Sequence, residues 1–473
     1  MPTSSAAPPR QREKIPGVSH LLAFSRDPLR FFDELYATHG DIAEFFMAGD
    51  RWVLINHPKD IERVHVETTR HFRKGYQTYE KIGYVFRRVL GNGLVTSEGD
   101  FWRTQRRLAQ PAFHHGQIRG YADTMVAYTQ QMIGRWAPGA ELDMRIAMGG
   151  LTQRVAGTCF FGADTAAQST RATKALDAIM VGFNTELASM FVERLPAFVP
   201  TPNRRRVDAA IADFDAVVSE FVHNRRSAPP GEHGDLLALL CAAQDDDGGQ
   251  MTDRQLRDEL VTLYIAAQET TSSTLAWVLY FLGSRPELGA RVRQELDRVL
   301  GGRQATPADL GELRLLRAVV DEVLRLYPPA WRVFRVPEHD VEIQGYRVPE
   351  GAYVVMSQWV THRDPRWFDA PTTFDPDRWL DGRTANLPRY AYWPFGGGPR
   401  MCIGNGFAIM EIVLVAATLL GQVRYTLLDH DVTPRPLITL RPDPGVRVRI
   451  DQVLARPADP ATPVSPTAQP SPA

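Results

Sequence analysis

Cysteines and long apolar runs are both scarce in this sequence. Its 473 residues include only three cysteines, Cys159, Cys241 and Cys402. Their odd number and wide spacing exclude a disulfide framework and predict a reducing compartment. No uninterrupted apolar stretch reaches the roughly 18 residues of a membrane span, so we expect no transmembrane anchor and a cytoplasmic protein. A formal net charge of −1 gives no indication of a nucleic-acid partner.

The two ends of the chain differ in composition from the rest. Residues 1–20 carry prolines and charges without an apolar core, and we predict a flexible lead-in there. Residues 456–473 are rich in Pro, Ala, Ser and Thr, a composition that cannot bury a core, and we predict a disordered tail. Residues 21–455 contain no repeat and no long linker, so they are expected to fold together. Within them, residues 226–235 and 244–253 are predicted to be surface loops.

The apolar spacing predicts a mainly α-helical fold with small β-sheets. Apolar residues recur every three or four positions in segments 27–40, 259–284, 285–302 and 313–328, which predicts helices there. Two β-rich segments predict hairpins. One covers residues 41–57 and turns at Ala48-Gly49-Asp50. The other covers residues 341–359, with Gly345 and Gly351 at its turns.

The strongest local signal is the glycine-rich stretch YWPFGGGPRMCIGNGFA at residues 392–408. Glycines let the backbone pass close to a flat ligand and adopt positive φ angles. The stretch opens into a predicted helix whose N-terminus points at Cys402, and this favours a thiolate. A buried structural cysteine in a turn is the alternative for a lone cysteine. The register of Phe395, Gly398, Arg400 and Gly404 around Cys402 favours a ligand instead.

This stretch resembles the haem-binding loop of the cytochrome P450 monooxygenases, whose pattern is Phe-x-x-Gly-x-Arg-x-Cys-x-Gly. The resemblance implies the cytochrome P450 fold over residues 21–455, with haem b (iron protoporphyrin IX) as cofactor. It implies that Cys402 is the thiolate ligand of the haem iron, which favours O–O cleavage. By the same resemblance, Arg400 pairs with a haem propionate and Phe395 packs near the sulfur.

Further segments match the family in the expected order. Glu322 and Arg325 lie one helical turn apart, and Arg378 follows in FDPDRW. On their own, most Glu-x-x-Arg pairs are solvated pairs on a helix surface. The resemblance implies that these three residues form a buried network that supports the fold and takes no part in catalysis.

Three more residues resemble haem-propionate contacts of the family. Trp102 and Arg106 are spaced i, i+4 in GDFWRTQRRLAQPAF, a spacing that elsewhere is more often a packing or cation–π pair. Arg335 matches a third contact, although the neighbouring Arg332 is an alternative for it.

The helix that contains YIAAQETTSST matches the family's long helix on the distal side of the haem. Glu269 and Thr270 match its acid–alcohol pair. The resemblance implies that Thr270 donates a hydrogen bond and relays protons, while Glu269 connects to bulk protons. The Thr270 hydroxyl can also bond back to the carbonyl of Ala266. Ala267 departs from the pattern, because glycine is usual at this haem-contacting position.

The resemblance implies a soluble, bacterial-type monooxygenase that activates O2 and hydroxylates or epoxidises a lipophilic substrate. After Cys402 the sequence contains no flavin or nicotinamide domain and no cysteine cluster. Electrons from NAD(P)H are therefore expected through a separate ferredoxin and ferredoxin reductase, with Arg103 and Arg107 as candidates for the docking face. A non-catalytic haem-thiolate sensor or binding protein is the alternative function.

The expected substrate is a terpenoid or a fatty-acyl chain, because the candidate pocket segments are rich in apolar and aromatic residues. These segments are residues 76–86, 180–200, 263–270 and 329–334. Arg332 or Tyr79 could anchor a carboxylate, which keeps the fatty acid open. The same aromatic residues could equally be ordinary core.

Overall fold

The computed structural model describes residues 6–13, 18–47, 49–75, 86–162, 201–227, 235–245 and 248–454, with single positions between 171 and 185. Among these residues the helices are α1 (Ser19–Arg26), α2 (Pro28–His39), α3 (Pro58–Val66), α4 (Gly99–Ala109), α5 (His115–Gly120), α6 (Ala122–Ile133), α7 (Met144–Phe161), α8 (Pro202–Ser227), α9 (Leu236–Ala242), α10 (Asp253–Ser284), α11 (Pro286–Leu300), α12 (Arg314–Leu326), α13 (Gln358–Thr361) and α14 (Asn405–Gln422). The strands are β1 (Ile42–Met47), β2 (Asp50–Ile55), β3 (Phe72–Arg73), β4 (Glu141–Asp143), β5 (Val333–Pro337), β6 (Val341–Ile343), β7 (Tyr346–Val348), β8 (Tyr353–Met356), β9 (Val423–Leu427), β10 (Thr433–Pro436), β11 (Leu440–Asp443) and β12 (Arg447–Val453). The mainly helical fold with small sheets is as predicted. The predicted tail at 456–473 and most of the predicted loop at 226–235 lie outside the described residues.

The largest sheet has the strand order β1-β2-β8-β5-β3. Strands β1 and β2 form the predicted hairpin, in antiparallel register from Ile42 opposite Ile55 to Met47 opposite Asp50. The second predicted hairpin is correct only for β6 and β7, which turn at Gly345. Strand β8 is not part of this hairpin and lies instead between β2 and β5. All four residues of β8 are buried, and such a strand needs neighbours on both sides.

Helix α10 runs through the middle of the helical body. It starts at a capping box in which Gln255 N–H donates to Thr252 Oγ1 at 3.3 Å and Thr252 N–H donates to Gln255 Oε1 at 2.7 Å. It ends where Pro286 begins the next helix. Helices α7, α8, α12 and α14 pack against it. The predicted helix at residues 259–284 is thus the C-terminal part of a longer element.

Helix α14 follows the glycine-rich loop and is apolar nearly all round. Within the part of the chain that the structure describes, it alone is long and apolar enough to cross a membrane, and 67% of it is buried inside the protein. A helix that is apolar on every face and packed by its neighbours has the character of a core helix. Its burial fixes the position of the loop that precedes it.

A buried ion network joins α12 to the chain before the glycine-rich loop. Glu322 accepts hydrogen bonds from Arg325 through both carboxylate oxygens at 2.8 Å. Arg378 donates to the same carboxylate at 3.1 Å, and the Trp379 indole donates at 3.0 Å. The sequence-predicted Glu322, Arg325 and Arg378 are therefore in direct contact, as predicted.

Candidate functional site

The glycine-rich loop packs closely against α3. Cys402 N–H donates to the carbonyl of Phe395 at 2.9 Å, which closes the loop. Gly398 has a φ of +59°, and a Cβ at this position would lie 2.2 Å from the carbonyl oxygen of His65. Both the conformation and the close approach require glycine here. The loop thereby holds Phe395 and Cys402 at the start of α14, as the sequence predicted.

Cys402 is an exposed residue whose thiol nevertheless has a desolvated setting. It belongs to a loop that packs against α3. Desolvation raises the pKa of the Cys402 thiol, while the Gly404 N–H and the positive charge of Arg106 lower it. The N-terminal end of α14 also favours negative charge on the sulfur. These features fit a thiolate that binds a metal on its accessible side.

The burial of α10 is interrupted over one turn. Residues 258–264 and 271–279 are buried, whereas Ala266 is exposed and residues 267–270 are half-buried. Thr270 Oγ1 donates to the carbonyl of Ala266 at 2.8 Å, the local bond that the sequence predicted. Ala267 lies on this same accessible turn. A turn of this kind inside a packed helix is typical of a helix that borders a ligand site.

The carboxylate of Glu269 is held by the C-terminal hairpin. Thr439, between β10 and β11, donates from Oγ1 to Glu269 Oε1 at 2.6 Å. Desolvation lowers the pKa of the nearby Arg441, and the negative charge of Glu269 opposes this shift. The acid and the alcohol of the predicted pair are thus adjacent in sequence, but their side chains have different hydrogen-bond partners.

Arg400 is fixed by three contacts. Its guanidinium lies over the ring of Trp102, with 3.6 Å between Cζ and the ring centroid. Nη1 donates to the carbonyl of Ser97 at 3.0 Å, and Nη2 donates to the carboxylate of Glu98 at 2.5 Å. Nε is buried and has no partner among the described residues. The side chain is held in place and keeps one donor for a ligand.

Two further buried cations lie near Arg400. Lys74 Nζ donates to the backbone carbonyls of residues 94–95 at 2.6 and 2.8 Å. Arg335 Nε donates to Thr68 Oγ1 at 3.2 Å. Desolvation lowers the pKa of Lys74 well below its usual range, and the charge of Arg400 adds to this. We call Lys74, Arg335 and Arg400 the cationic cluster.

Arg332, the alternative to Arg335, lies elsewhere. Its guanidinium stacks over the rings of Phe24 and Trp331, at 5.0 and 4.7 Å from their centroids. These rings belong to the aromatic core that packs α1 and α2 against the largest sheet. Of the two arginines, Arg335 is therefore the one that belongs to the cationic cluster.

The site residues fit haem. Cys402 offers a sulfur ligand, and the cationic cluster offers positive charge and an unpartnered Nε donor for carboxylates such as propionates. Trp102 and Arg106 lie on α4 between these two features, since Trp102 stacks on Arg400 and Arg106 acts on Cys402. Cys402 suits the iron of a planar iron porphyrin, and the cationic cluster suits its two negative charges.

The sequence model of the cytochrome P450 family matches residues 8–448. The chain belongs to this family and is a haem monooxygenase. The exposed residue Cys402 and the accessible turn of α10 are thus parts of a cytochrome P450 fold.

Curated relatives extend over almost the whole chain. It is 37% identical to cyclooctat-9-en-7-ol 5-monooxygenase of Streptomyces melanosporofaciens, over 89% of this chain and 92% of that protein. It is 34% identical to pentalenene oxygenase of Streptomyces avermitilis, over 92% of this chain and 95% of that protein. Among solved structures, retinoic acid-bound cyanobacterial CYP120A1 matches with a TM-score of 0.84 at 27% identity, covering 95% of this chain and 100% of that one.

Sequence reasoning missed three residues of the site. Lys74 is one of five lysines in the chain, but the residues around it carry no motif that points to a ligand. Glu98 directly precedes α4, and its partner Arg400 is 302 positions away, so no local pattern points to it. Thr439 reaches Glu269 only because the fold brings together residues 170 positions apart.

Proposed function

We propose that the chain hydroxylates or epoxidises a lipophilic terpenoid, with electrons from NAD(P)H delivered by separate ferredoxin and ferredoxin reductase chains. The single observation that carries the proposal is that one fold contains both the exposed residue Cys402 in the glycine-rich loop and an accessible turn of α10 that bears Glu269 and Thr270. The retained acid–alcohol pair favours reductive O2 activation over a non-catalytic sensor.

In this proposal Cys402 is the haem-iron ligand. Bound haem supplies the activation of dioxygen, which thiolate ligation favours. The Gly404 N–H and the charge of Arg106 stabilise the thiolate against the desolvation that raises its pKa. Arg400, Arg335 and Trp102 orient the propionates, and Phe395 packs beside the sulfur.

Thr270 and Glu269 are the proposed proton-handling residues. Thr270 holds its proton at Oγ1 in the bond to the Ala266 carbonyl, from which the hydroxyl can rotate toward a ligand above the turn. Glu269 holds its carboxylate toward Thr439, on the side of the C-terminal hairpin. This position suits an acid that takes protons from solvent and passes them to the neighbouring hydroxyl.

Two observations support a terpenoid rather than a fatty acid. The relatives named as cyclooctat-9-en-7-ol 5-monooxygenase and pentalenene oxygenase act on terpenoids. Arg332, one candidate anchor for a carboxylate, stacks on Phe24 and Trp331 instead. Tyr79, the other candidate, lies outside the described residues.

The proposed docking face for the ferredoxin lies around the Cys402 loop. Met401 is 41% exposed and Phe101 is 37% exposed. Arg103 and Arg107 are exposed on the same helix as Phe101. An apolar centre with a basic rim suits an acidic partner, because electrostatic attraction speeds its association.

The experiment combines a ligand test with a substrate test. The reduced protein with carbon monoxide is expected to give the thiolate-type Soret shift, and Cys402→Ser is expected to lose it. Cys241→Ser is the matched control, because Cys241 is half-buried on α9. Spin-state titrations with terpene hydrocarbons and fatty acids then compare the two substrate classes, and product analysis with ferredoxin and reductase identifies the oxygenated compound. Wild-type protein without the thiolate shift would contradict the ligand, and tighter binding of fatty acids would contradict the terpenoid.

A further inference from the structure

Glu98 occupies the N-cap position of α4 but does not cap the helix. Its backbone is extended, with φ −133° and ψ 170°, as an N-cap residue requires, yet its side chain makes no cap hydrogen bond. The side chains that usually cap a helix N-terminus are the shorter Ser, Thr, Asp and Asn. The Glu98 carboxylate instead extends to partners outside α4.

Those partners are two members of the cationic cluster. One carboxylate oxygen accepts from Arg400 Nη2 at 2.5 Å, and the other accepts from the backbone N–H of Lys74 at 2.5 Å. The preceding residue, Ser97, accepts from Arg400 Nη1 through its carbonyl. Residues 97–98 therefore bracket the Arg400 guanidinium, while Trp102 covers its face.

Glu98 also opposes an excess of positive charge. The positive charges of Arg335, Arg106 and Arg103 all act on the Arg400 guanidinium. Glu98 is the group that opposes them. It likewise favours the charged form of Lys74 against desolvation and Arg400. Glu259 also favours the charged form of Lys74, so two carboxylates face the three cations of the cluster and Arg106, and positive charge remains for an anionic ligand.

We propose that Glu98 is a positioning residue for haem: it fixes Arg400 and the Lys74 backbone so that the cationic cluster receives a propionate, and its negative charge lowers the reduction potential of the iron. The proposal rests on the proposed function, in which Cys402 binds haem. Glu98 acts through Arg400 and Lys74 and is given no contact with haem. A carboxylate near the iron stabilises the ferric state, because reduction removes positive charge from the centre.

The test compares three variants of the haem-loaded protein. Glu98→Gln keeps the size of the side chain but removes the charge and one of the two acceptors. Glu98→Asp keeps the charge with a shorter reach. Asp100→Asn is the matched control, because Asp100 is on the same helix with a side chain 92% exposed and pairs with Arg103. Spectroelectrochemical titration measures the midpoint potential, and transfer to apomyoglobin measures the rate of haem loss.

We expect Glu98→Gln to shift the potential to a more positive value and to speed haem loss several-fold. We expect Glu98→Asp to keep a potential close to wild type while haem loss still accelerates, and Asp100→Asn to change neither. A potential in Glu98→Gln that is unchanged or more negative would overturn the proposal. The wild-type thiolate spectrum tests the iron ligand separately, since only the difference between variant and wild type tests Glu98.

Discussion

The protein contains two buried charge networks, one around Glu322 in the chain before the glycine-rich loop and one around Arg400 within that loop. The first, around Glu322, has one carboxylate and two arginines, with both Glu322 oxygens bonded and side chains 0–2% exposed. The second is the cationic cluster with Glu98, and it keeps a buried Arg400 Nε without a partner among the described residues. The first network is complete within the protein, whereas we propose that a ligand completes the second.

This difference distinguishes charged residues that hold the fold together from charged residues that bind a ligand. A buried ion pair that is fully satisfied holds elements together, and removing one partner leaves an uncompensated charge. A buried cluster with excess charge of one sign costs stability until an anion binds, and the binding free energy then offsets that cost. Substitutions in the two networks should therefore affect different quantities.

The largest effect is expected for Glu322→Ala. It leaves Arg325 and Arg378 buried without their carboxylate, and breaking such a pair costs about 3–5 kcal/mol. We expect failure to fold or loss of haem, measured by urea unfolding followed by far-UV circular dichroism. Glu312→Ala, on the exposed surface before α12, is the control. A Glu322→Ala protein as stable as this control would remove the distinction between the networks.

Arg335→Gln tests the second network, the cationic cluster. Removing one cation relieves repulsion within the cluster, so we expect the free energy of unfolding of the apoprotein to change by about 1 kcal/mol or less. Haem loss should accelerate by roughly tenfold, because a hydrogen bond to a charged group contributes about 1.5–3 kcal/mol. Urea unfolding of the apoprotein and haem transfer measure the two effects. The comparison fails if the apoprotein loses stability while haem loss stays at the wild-type rate.

Glu259 on α10 is a further buried carboxylate, and its pKa is shifted. Desolvation raises its pKa from 4.5 to about 8, although the Leu94 N–H bonds to it at 3.0 Å. Between these two pH values the native state holds a proton that the unfolded chain has released. Stability from this group therefore falls as pH rises from 4.5 to about 8, by at most about 1.4 kcal/mol per pH unit.

Glu259→Gln should flatten this part of the pH dependence. Urea unfolding at pH 6 and pH 8 gives the slope for each protein, and the variant is expected to lose less stability than wild type between them. Equal slopes would show that Glu259 is ionised in the native state throughout.

The smallest effect is expected for Ala267→Gly. Glycine in a helix interior costs about 0.5–1 kcal/mol relative to alanine. The added space on the accessible turn should tighten the binding of a bulky terpenoid, measured by spin-state titration. Ala276→Gly, in the buried part of the same helix, has the helix cost without the added space. Equal ligand affinities of these two variants would contradict a role for Ala267 in the site.

The sequence predicted best those features that depend on residues close together in the chain. The Cys402 loop, the β1–β2 hairpin and the bond from Thr270 to Ala266 each depend on residues a few positions apart. Strand β8 was assigned to the wrong hairpin because its partners, β2 and β5, are set by burial on both faces. Glu98 and Arg400 are 302 positions apart, so no local pattern could pair them.

The hairpin of β10 and β11 touches two parts of the site at once. Thr439 holds Glu269, while Leu440 N–H donates to the Pro329 carbonyl at 2.9 Å and the Trp331 indole donates to the Leu437 carbonyl at 3.0 Å. A bulky substrate that displaces the chain at residues 329–331 would therefore move the support of Glu269. Under the proposed function, this hairpin connects the substrate pocket to the proton supply, so we expect a poorly fitting substrate to release reducing equivalents as peroxide as well as to bind weakly.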